Sequence, residues 1–176
     1  LYRTKKKGKI QKTTMDVEVK PSSIANAGLG VFAGRDFSSQ ATVCEYKGRL
    51  LATEVAESSS YASDYCLRLS RAWSLDAQHV FSEGKYVNDG IFSQRQNVRF
   101  SVNHRTRRVV LKALRKISKG EELFVSYGLD YWTWPQRFLA LEPRYQAQLE
   151  RRARHAQHYP FLAFVDACRH SEKEAS

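Results

Sequence analysis

The chain has 176 residues, of which 42% are hydrophobic and 12% aromatic, and this composition predicts one folded domain with its own core. No apolar run reaches the roughly 18 residues that a membrane-spanning helix needs, and no secretory signal pattern opens the sequence. The formal net charge of +11 favours a negatively charged partner such as nucleic acid or a nucleoprotein, although a merely solvated basic surface explains the same charge.

The three cysteines Cys44, Cys66 and Cys168 are odd in number, lie far apart and form no Cys-x-x-Cys pair. This pattern favours free thiols in a reducing compartment over disulfides. It also supplies no set of zinc ligands, so we expect no metal site. Because the first residue is Leu, we expect the sequence to be part of a longer protein.

Residues 1–15 are mostly polar and basic and show no hydrophobic period. They predict a disordered or loosely docked basic arm, which serves either as a nuclear localisation signal or as a solubilising tail.

Between residues 16 and 132, short β-rich runs are bounded by Gly, Pro and polar residues, which predicts a domain of small sheets with little helix. The predicted strands are Val17–Lys20, a run ending at Ala33, Ala41–Tyr46, Tyr61–Leu69, Trp73–Ala77, Val98–Val102, Val109–Leu114 and Leu123–Ser126. Two pairs form hairpins, namely the fourth strand with the fifth and the sixth with the seventh. One short helix is expected over Leu51–Glu57.

After residue 132 the spacing of apolar residues changes to three or four, which is the period of one helix face. These residues are Trp134, Phe138, Leu141, Tyr145 and Leu149, and Phe161–Cys168 is a last apolar segment. Pro143 predicts a break at which a second helix begins. We expect the stripe to dock on the β-rich domain, which makes residues 133–176 a C-terminal helical extension.

Two polar residues and two glycines stand out among the apolar runs. Gly28 and Gly30 permit unusual backbone angles or the close approach of a ligand, but a simple turn explains them as well. They form no dinucleotide fingerprint, because a third glycine and a following helix are missing. Asn88 follows an apolar pair, and Tyr127 ends an apolar strand. A buried amide and a buried phenol need hydrogen-bond partners, which either the folded chain or a bound polar ligand supplies.

Five motifs, taken in order, resemble those of the SET-domain protein lysine methyltransferases. They are Ala27–Ala33, Cys44–Gly48, Tyr86–Asp89, Asn97–Val98 and Ile117–Gly128. The match covers residues 17–132. It implies an α+β, mostly β fold of small curved sheets around a pseudoknot, in which the Asn-bearing segment passes beside the segment that ends at Tyr127. It also implies that S-adenosylmethionine binds on one side and that the target lysine enters a narrow channel from the other.

The resemblance implies a role for each matching residue. The implied cofactor-binding residues are Gly28, Leu29, Gly30, Lys85, Asn88, Asp89, Tyr127 and Trp132. Tyr127 and Tyr46 are the implied catalytic residues, and Tyr46 also lies at the channel wall with Tyr65, Phe100, Val125 and Tyr131. Asn97 matches a residue that supports the pseudoknot.

Methyl transfer to lysine is an in-line displacement that requires a neutral amine, whereas the unperturbed lysine pKa is about 10.4. An apolar channel and a nearby sulfonium cation both lower that pKa. The Tyr127 hydroxyl is expected to orient the amine. Because Phe100 and Val125 carry no hydroxyl, we expect the reaction to proceed past monomethyl-lysine.

The chain departs from the family pattern at two points. Asp89 replaces the usual His, and the zinc-binding cysteine cluster that closes many family sites is absent, so Tyr131, Trp132 and the following helices are expected to close this one. Two functions therefore stay open. The first is a nuclear lysine methyltransferase that acts on a histone or another chromatin protein, with DNA contact through its basic patches. The second is a non-catalytic SET-like module that binds peptide or nucleic acid.

Overall fold

The computed structural model describes residues 16–25, 27–58, 60–61, 63–90, 95–132, 135–141 and 143–174, so the predicted basic arm and Trp134 lie outside the described residues. Within these ranges the chain forms ten short strands and five helices, with one turn of 3₁₀ helix over Glu83–Tyr86. The strands are β1 (Val17–Pro21), β2 (Leu29–Ala33), β3 (Thr42–Tyr46), β4 (Arg49–Ala52), β5 (Cys66–Arg68), β6 (Trp73–Asp76), β7 (Asn88–Asp89), β8 (Val98–Asn103), β9 (Arg108–Ala113) and β10 (Phe124–Val125). The helices are α1 (Thr53–Ala56), α2 (Leu129–Trp132), α3 (Pro135–Leu139), α4 (Pro143–His155) and α5 (Tyr159–Glu174).

The strands form four small sheets. Three are antiparallel: β1 pairs with β2, β9 lies between β3 and β8, and β6 lies between β4 and β5. The fourth is a parallel pair of β7 and β10. The predicted mostly β fold of small sheets is therefore confirmed, as are both predicted hairpins.

One hydrophobic core joins the sheets. Its fully buried side chains include Val31, Val98, Leu111, Ile117 and Leu123, each 0% exposed. Burial of side chains of this size contributes about 1.5–3 kcal/mol each, so these residues hold strands from distant parts of the chain together. None of the helices in the described ranges is both long and apolar enough to cross a membrane.

Two predicted elements differ from the structure. The helix expected over Leu51–Glu57 is limited to α1, because Leu50 and Leu51 extend β4 and pair with Leu75 and Ser74 of β6. Cross-strand pairing thus overrides the local helical preference. The strand expected over Tyr61–Leu69 is limited to β5, since the residues before it form a loop that buried side chains fix to β6.

The C-terminal helices form a second hydrophobic cluster. Phe138 of α3 and Leu149 of α4 pack against Phe161 and Val165 of α5. The prediction that a second helix begins at Pro143 is confirmed. The stripe residues Phe138, Leu141 and Leu149 belong to this second cluster rather than to the core of the sheets, which corrects the expected docking. Trp132 of α2 donates to Asp89 of β7 and so joins the helices to the β-rich domain. The predicted domain boundaries stay predictions.

The element that positions the candidate site is a crossing of two chain segments. Strand β10 pairs with β7 on one side, in the register Phe124–Asn88 and Val125–Asp89. On its other side lies Asn97, whose backbone N–H donates to the Phe124 carbonyl at 3.0 Å. Strand β7 and Asn97 therefore lie on opposite edges of β10, which is the arrangement expected of the pseudoknot that the resemblance implies.

The Asn97 side chain supports this crossing, as the sequence predicts. Its amide is 1% exposed, and its Nδ2 donates to the Glu122 carbonyl at 2.8 Å. Its Oδ1 accepts the Phe124 N–H, also at 2.8 Å. One buried side chain thus satisfies backbone groups that the crossing leaves without strand partners.

Gly90 is required for close packing at the crossing. A Cβ at this position would lie 2.8 Å from the Phe124 Cβ and 2.9 Å from the Gln96 backbone nitrogen. We predict that Gly90→Ala lowers the free energy of unfolding by about 1–3 kcal/mol, because backbone must move to admit the methyl group. Thermal unfolding measures the loss, with Lys119→Ala in an exposed turn as the control. An unchanged melting temperature would show that the crossing tolerates the added atom.

Candidate active site

Tyr127 lies directly after the crossing, with its side chain turned into the domain. Its hydroxyl donates a hydrogen bond to the Val87 carbonyl at 2.9 Å, and its backbone N–H donates to Asp89 Oδ2 at 3.0 Å. Burial raises the pKa of this hydroxyl far above its usual range, and the nearby Tyr131 and Asp89 add to the shift. Tyr127 is therefore a neutral phenol in a fixed orientation.

Asp89, the residue that replaces the family's His, is 8% exposed and joins two parts of the site. Its Oδ2 accepts the Tyr127 backbone N–H at 3.0 Å and the indole N–H of Trp132 at 2.7 Å. A buried carboxylate is tolerated when hydrogen-bond donors surround it. The carboxylate here links β7 to the residues after β10 and to α2.

Three aromatic rings cluster above this carboxylate. The rings of Tyr127 and Tyr131 meet edge-on at a centroid distance of 4.7 Å. The Tyr127 ring is stacked with that of Trp132 at 6.3 Å, and Tyr131 meets Trp132 at 5.0 Å. Both α2 residues expected to close the site therefore contact the expected catalytic tyrosine.

The glycine pair lies beside Asn88. Gly28 has a φ of +72° and open space where a Cβ would lie, and Leu29 is 44% exposed. The Asn88 Nδ2 donates to the Leu29 carbonyl at 3.0 Å. The structure thus brings Gly28, Leu29, Gly30 and Asn88 together, although they are distant in sequence.

Glu122 is a buried residue in this region that the sequence analysis did not identify. Its carboxylate accepts hydrogen bonds from Ser22 Oγ at 2.6 Å and from the Ser23 N–H at 2.9 Å. Burial alone would raise its pKa, but the hydrogen bonds from Ser22, Ser23 and Asn88 hold that pKa below its usual value. A Cβ at Gly30 would lie 2.2 Å from Glu122 Oε1, so this glycine makes room for the carboxylate.

The expected channel residues lie on the other side of Tyr127. Tyr46 is 6% exposed, donates its hydroxyl hydrogen to the Tyr65 carbonyl at 2.7 Å, and meets Phe100 edge-on at 5.7 Å. Burial raises the pKa of the Tyr46 hydroxyl, and the charge of Asp76 adds to this. Val125 is 1% exposed within β10. Tyr46 and Phe100 therefore form an edge-on ring pair, and the role of these residues as a channel wall stays a prediction.

Lys85 is placed differently from the other expected cofactor residues. Its Nζ donates to the carbonyls of Ala77, Gln78 and Val80 at 3.2, 3.4 and 3.2 Å. It also lies 5.3 Å from the centroid of the Tyr65 ring. The ammonium therefore holds the loop after β6, near the channel residues, and its role toward a cofactor stays a prediction.

Asp76, another residue that the sequence did not single out, fixes the loop before β5. Its carboxylate accepts hydrogen bonds from the Tyr61 hydroxyl and from Ser63 Oγ, the latter at 2.6 Å. The Ala77 N–H donates to the Tyr65 carbonyl at 3.1 Å. This loop carries the carbonyl that orients Tyr46, so Asp76 positions a channel residue indirectly.

Arg137 of α3 connects the C-terminal helices to the same loop. Its Nη2 lies 3.2 Å from Asp64 Oδ1, and its guanidinium lies over the Tyr131 ring at 3.9 Å. Helix α3 is therefore fixed to α2 and to the loop before β5, and the closure of the site by these helices stays a prediction. No group of three or more His, Cys, Asp or Glu side chains that could hold a metal occurs among the described residues.

Comparison with known proteins supports the family resemblance that the five sequence motifs indicate. A SET-domain profile matches residues 28–128. The histone-lysine N-methyltransferase trr of Drosophila melanogaster is 32% identical over 109 residues, which cover 58% of this chain and 4% of that protein. The chain therefore spans a small part of this relative.

Solved structures show the same fold. A humanized mutant of the Chaetomium thermophilum Polycomb Repressive Complex 2 bound to the inhibitor GSK126 matches with a TM-score of 0.55 and 24% identity, over 64% of this chain and 15% of that one. The Chaetomium thermophilum polycomb repressive complex 2 matches with a TM-score of 0.52 and 24% identity, over the same shares of the two chains. At this identity the likeness concerns the fold alone.

Removal of the Asp89 carboxylate should destabilise the protein. In Asp89→Ala the N–H groups of Tyr127 and Trp132 lose their shared acceptor, and we predict a loss of about 1–3 kcal/mol in the free energy of unfolding. Asp89→Asn keeps one acceptor oxygen and should lose less. Chemical denaturation measures both. Equal stability of the wild type and the Ala variant would contradict the linking role of this carboxylate.

Acid should destabilise the protein partly through Asp76 and Glu122. Hydrogen bonds hold both folded pKa values below the ordinary 3.8 and 4.5, so ionisation of these groups stabilises the fold. That stability is present above the unfolded pKa values and is lost as the pH falls through the folded ones. We predict that Asp76→Asn/Glu122→Gln loses less stability than the wild type between about pH 6 and about pH 3. Urea unfolding at both pH values tests this, and equal losses would contradict it.

Proposed function

Because the chain belongs to the SET-domain family, we propose that it is a protein-lysine N-methyltransferase that uses S-adenosylmethionine. Its proposed substrate is a histone or another chromatin protein, and its proposed location is the nucleus. The similarity to a histone-lysine N-methyltransferase supports both proposals. We further propose that the net charge of +11 serves contact with nucleosomal DNA, since a free histone tail is itself basic.

The observation that carries the proposal is the fixed, neutral Tyr127 beside Asn88 and Asp89. Its hydroxyl hydrogen is already donated to the Val87 carbonyl. The oxygen lone pairs therefore remain as acceptors for an N–H of a substrate amine. A tyrosine held in this way orients an amine and carries no charge of its own.

The residues around Tyr127 fit the proposed cofactor. S-Adenosylmethionine supplies a methyl group bound to a sulfonium cation. The ring faces of Tyr127, Tyr131 and Trp132 and the carboxylate of Asp89 are groups that attract a cation. Backbone and amide groups are available for the rest of S-adenosylmethionine at Gly28, which has open space beside it, at the exposed Leu29 and at the adjacent Asn88.

The channel residues act on the protonation of the lysine. An amine surrounded by Tyr46, Tyr65, Phe100 and Tyr131 loses hydration, which disfavours the ammonium form and lowers the pKa of the amine. Burial keeps the Tyr46 and Tyr131 hydroxyls neutral by raising their pKa values, although Arg137 opposes the shift at Tyr131. Neither of these two hydroxyls is therefore a phenolate that would stabilise the charged amine.

The alternative is a SET-like module without catalysis. Asp89 favours it, because this carboxylate replaces the family's His and is engaged by Tyr127 and Trp132. Incubation of the protein with S-adenosylmethionine and recombinant nucleosomes separates the two functions. The proposal predicts methyl-lysine in the products by mass spectrometry, whereas the alternative predicts unmodified histones that still bind the protein.

Tyr127→Phe should reduce turnover by about a hundredfold or more, because the hydroxyl that orients the amine is lost. Cofactor affinity should stay near that of the wild type, since the ring remains. Steady-state kinetics and cofactor titration measure the two quantities. Tyr159→Phe, which removes the hydroxyl of a tyrosine that is 67% exposed on α5, is the matched control. Wild-type turnover in Tyr127→Phe would disprove the assigned role.

The wild type should form di- or trimethyl-lysine at long incubation. Phe100 is half-buried, meets the Tyr46 ring edge-on and has no hydroxyl to hold a methylated amine in place. We predict that Phe100→Tyr shifts the products toward monomethyl-lysine, because the new hydroxyl restricts rotation of the amine. Mass spectrometry of the products measures the shift. A wild-type reaction that stops at one methyl group would contradict the prediction.

A further inference from the structure

The segment from Val98 to Gly120 carries positive charge without an acidic residue between its ends. It contains eight Lys or Arg residues and no Asp or Glu. These residues form β8, β9, the turn between the two strands and the first part of the loop that leads to β10. The proposed methyl transfer uses none of these charges, so the patch needs another explanation.

Strand pairing places part of this charge on the outer face of the sheet formed by β3, β9 and β8. Successive side chains of a strand point to opposite faces of its sheet. Val98 and Leu111, which belong to the inner face, are 0% exposed. Arg99 and Lys112 lie directly opposite each other on the outer face, and Arg108 lies on the same face four residues before Lys112. The row from Arg108 to Lys112 is about 14 Å long.

Most of the charge in this segment has no carboxylate partner. Arg108 is bonded to Glu45, with Nε 2.8 Å from Oε1, and Arg115 is paired with Glu121. The other six basic side chains form no ion pair with a carboxylate in the part of the chain that the structure describes. They are Arg99, Arg105, Arg107, Lys112, Lys116 and Lys119.

Two of these six side chains contact neutral groups and therefore keep their charge. The Nη2 of Arg99 donates to the amide Oε1 of Gln40 at 3.1 Å. The guanidinium of Arg107, in the β8–β9 turn, lies over the Trp73 ring at 4.1 Å. An anion can approach both guanidinium groups without displacing a carboxylate.

We propose that the outer face of β8 and β9, together with the turn between them, binds the phosphate backbone of duplex DNA. Phosphates of one DNA strand follow each other at about 3.4 Å along the helix axis, so a row about 14 Å long faces about four of them. Guanidinium and ammonium groups donate strong hydrogen bonds to phosphate oxygens. The proposal rests on the DNA contact included in the proposed function and names the surface that makes it.

The chemistry of this face favours a duplex over a single strand. Proteins that bind single-stranded nucleic acid stack its bases on exposed aromatic rings. The outer-face positions of β8 and β9 carry no aromatic side chain; they are Arg99, Ser101, Asn103, Arg108, Val110 and Lys112. Phosphate contacts carry no sequence information, so we expect binding that is independent of base sequence.

The proposed DNA surface lies on the opposite side of β8 from an expected channel residue. Phe100, which directly follows Arg99, is on the inner face, where its ring meets that of Tyr46. The sheet therefore separates DNA on the outer face from this ring. We expect the duplex and S-adenosylmethionine to bind at the same time. Displacement of the duplex by saturating S-adenosylmethionine would contradict this placement.

Fluorescence anisotropy with a labelled duplex of about 20 base pairs tests the proposal on the whole chain. The test variant is Arg105→Ala/Lys112→Ala, because neither side chain makes a hydrogen bond, an ion pair or a ring contact with the described residues. We expect it to weaken DNA binding at least about tenfold, whatever the base sequence, and to reduce the salt slope by about two. Thermal unfolding confirms that the variant is folded.

Two control variants show whether charge at this face is the cause. Arg105→Lys/Lys112→Arg keeps both charges and should bind DNA within about threefold of the wild type. Arg151→Ala/Arg154→Ala removes two charges from exposed positions on α4, and its effect should be several times smaller than that of the test variant. If the charge-keeping variant loses as much affinity as the test variant, phosphate attraction is not the cause and the proposal is wrong. An equal loss in the α4 variant would also overturn it.

Three further outcomes decide the ligand and separate this inference from the proposed function. A single strand of the same length that binds more tightly than the duplex would overturn the choice of duplex DNA. Methylated nucleosomes, together with a duplex affinity indifferent to Arg105 and Lys112, would overturn the inference and leave the enzyme intact. Weakened duplex binding in the test variant, with no methyl-lysine from the wild type, would support the inference and overturn the proposed enzyme.

Discussion

The candidate site depends on the crossing of β10 with the segment around Asn88 and Asn97. Few hydrogen bonds hold this crossing. Two strands of two residues pair in parallel along one edge of β10, and the buried Asn97 amide satisfies backbone groups on its other edge. The crossing places Tyr127 next to the Asn88–Asp89 pair, although the two lie far apart in sequence. Tyr127 would lose both its hydroxyl partner and its backbone partner if these strands separated.

Buried carboxylates stabilise the surroundings of the crossing. Asp89 joins Tyr127 to α2, Glu122 joins the segment before β10 to the β1–β2 turn, and Asp76 fixes the loop that carries Tyr65. Each accepts at least two hydrogen bonds, which offsets the cost of burying its charge. Together with the contacts of Arg137, these bonds link the site to α2 and α3. Asp89, which departs from the family pattern, therefore has a structural role as the shared acceptor of the Tyr127 and Trp132 N–H groups.

Short sequence patterns predicted the elements that depend mainly on interactions between residues close together in the chain. Alternating apolar residues predicted both hairpins, and Pro143 predicted the start of α4. The five motifs in family order predicted the crossing through the resemblance. The role of Asp76 was not predictable, because its partners Tyr61 and Ser63 approach it only when β6 is paired. The same holds for Glu122, although the need for glycine at position 30 was a signal. Leu51 was misassigned to a helix because its pairing with Ser74 of β6 is a tertiary effect. The contacts of the Lys85 ammonium with three backbone carbonyls were likewise not predictable from the sequence, and its role toward a cofactor stays a prediction.

The central claim is that the crossing forms a binding site for S-adenosylmethionine. Titration calorimetry of the wild type with this cofactor tests the claim without any assumption about the protein substrate. The account predicts binding to one site, weakened by roughly 1–3 kcal/mol in Asn88→Ala because buried polar groups lose a partner. Asn103→Ala, at the exposed end of β8, should bind as the wild type does. No heat of binding in the wild type, or an affinity indifferent to Asn88, would contradict the account.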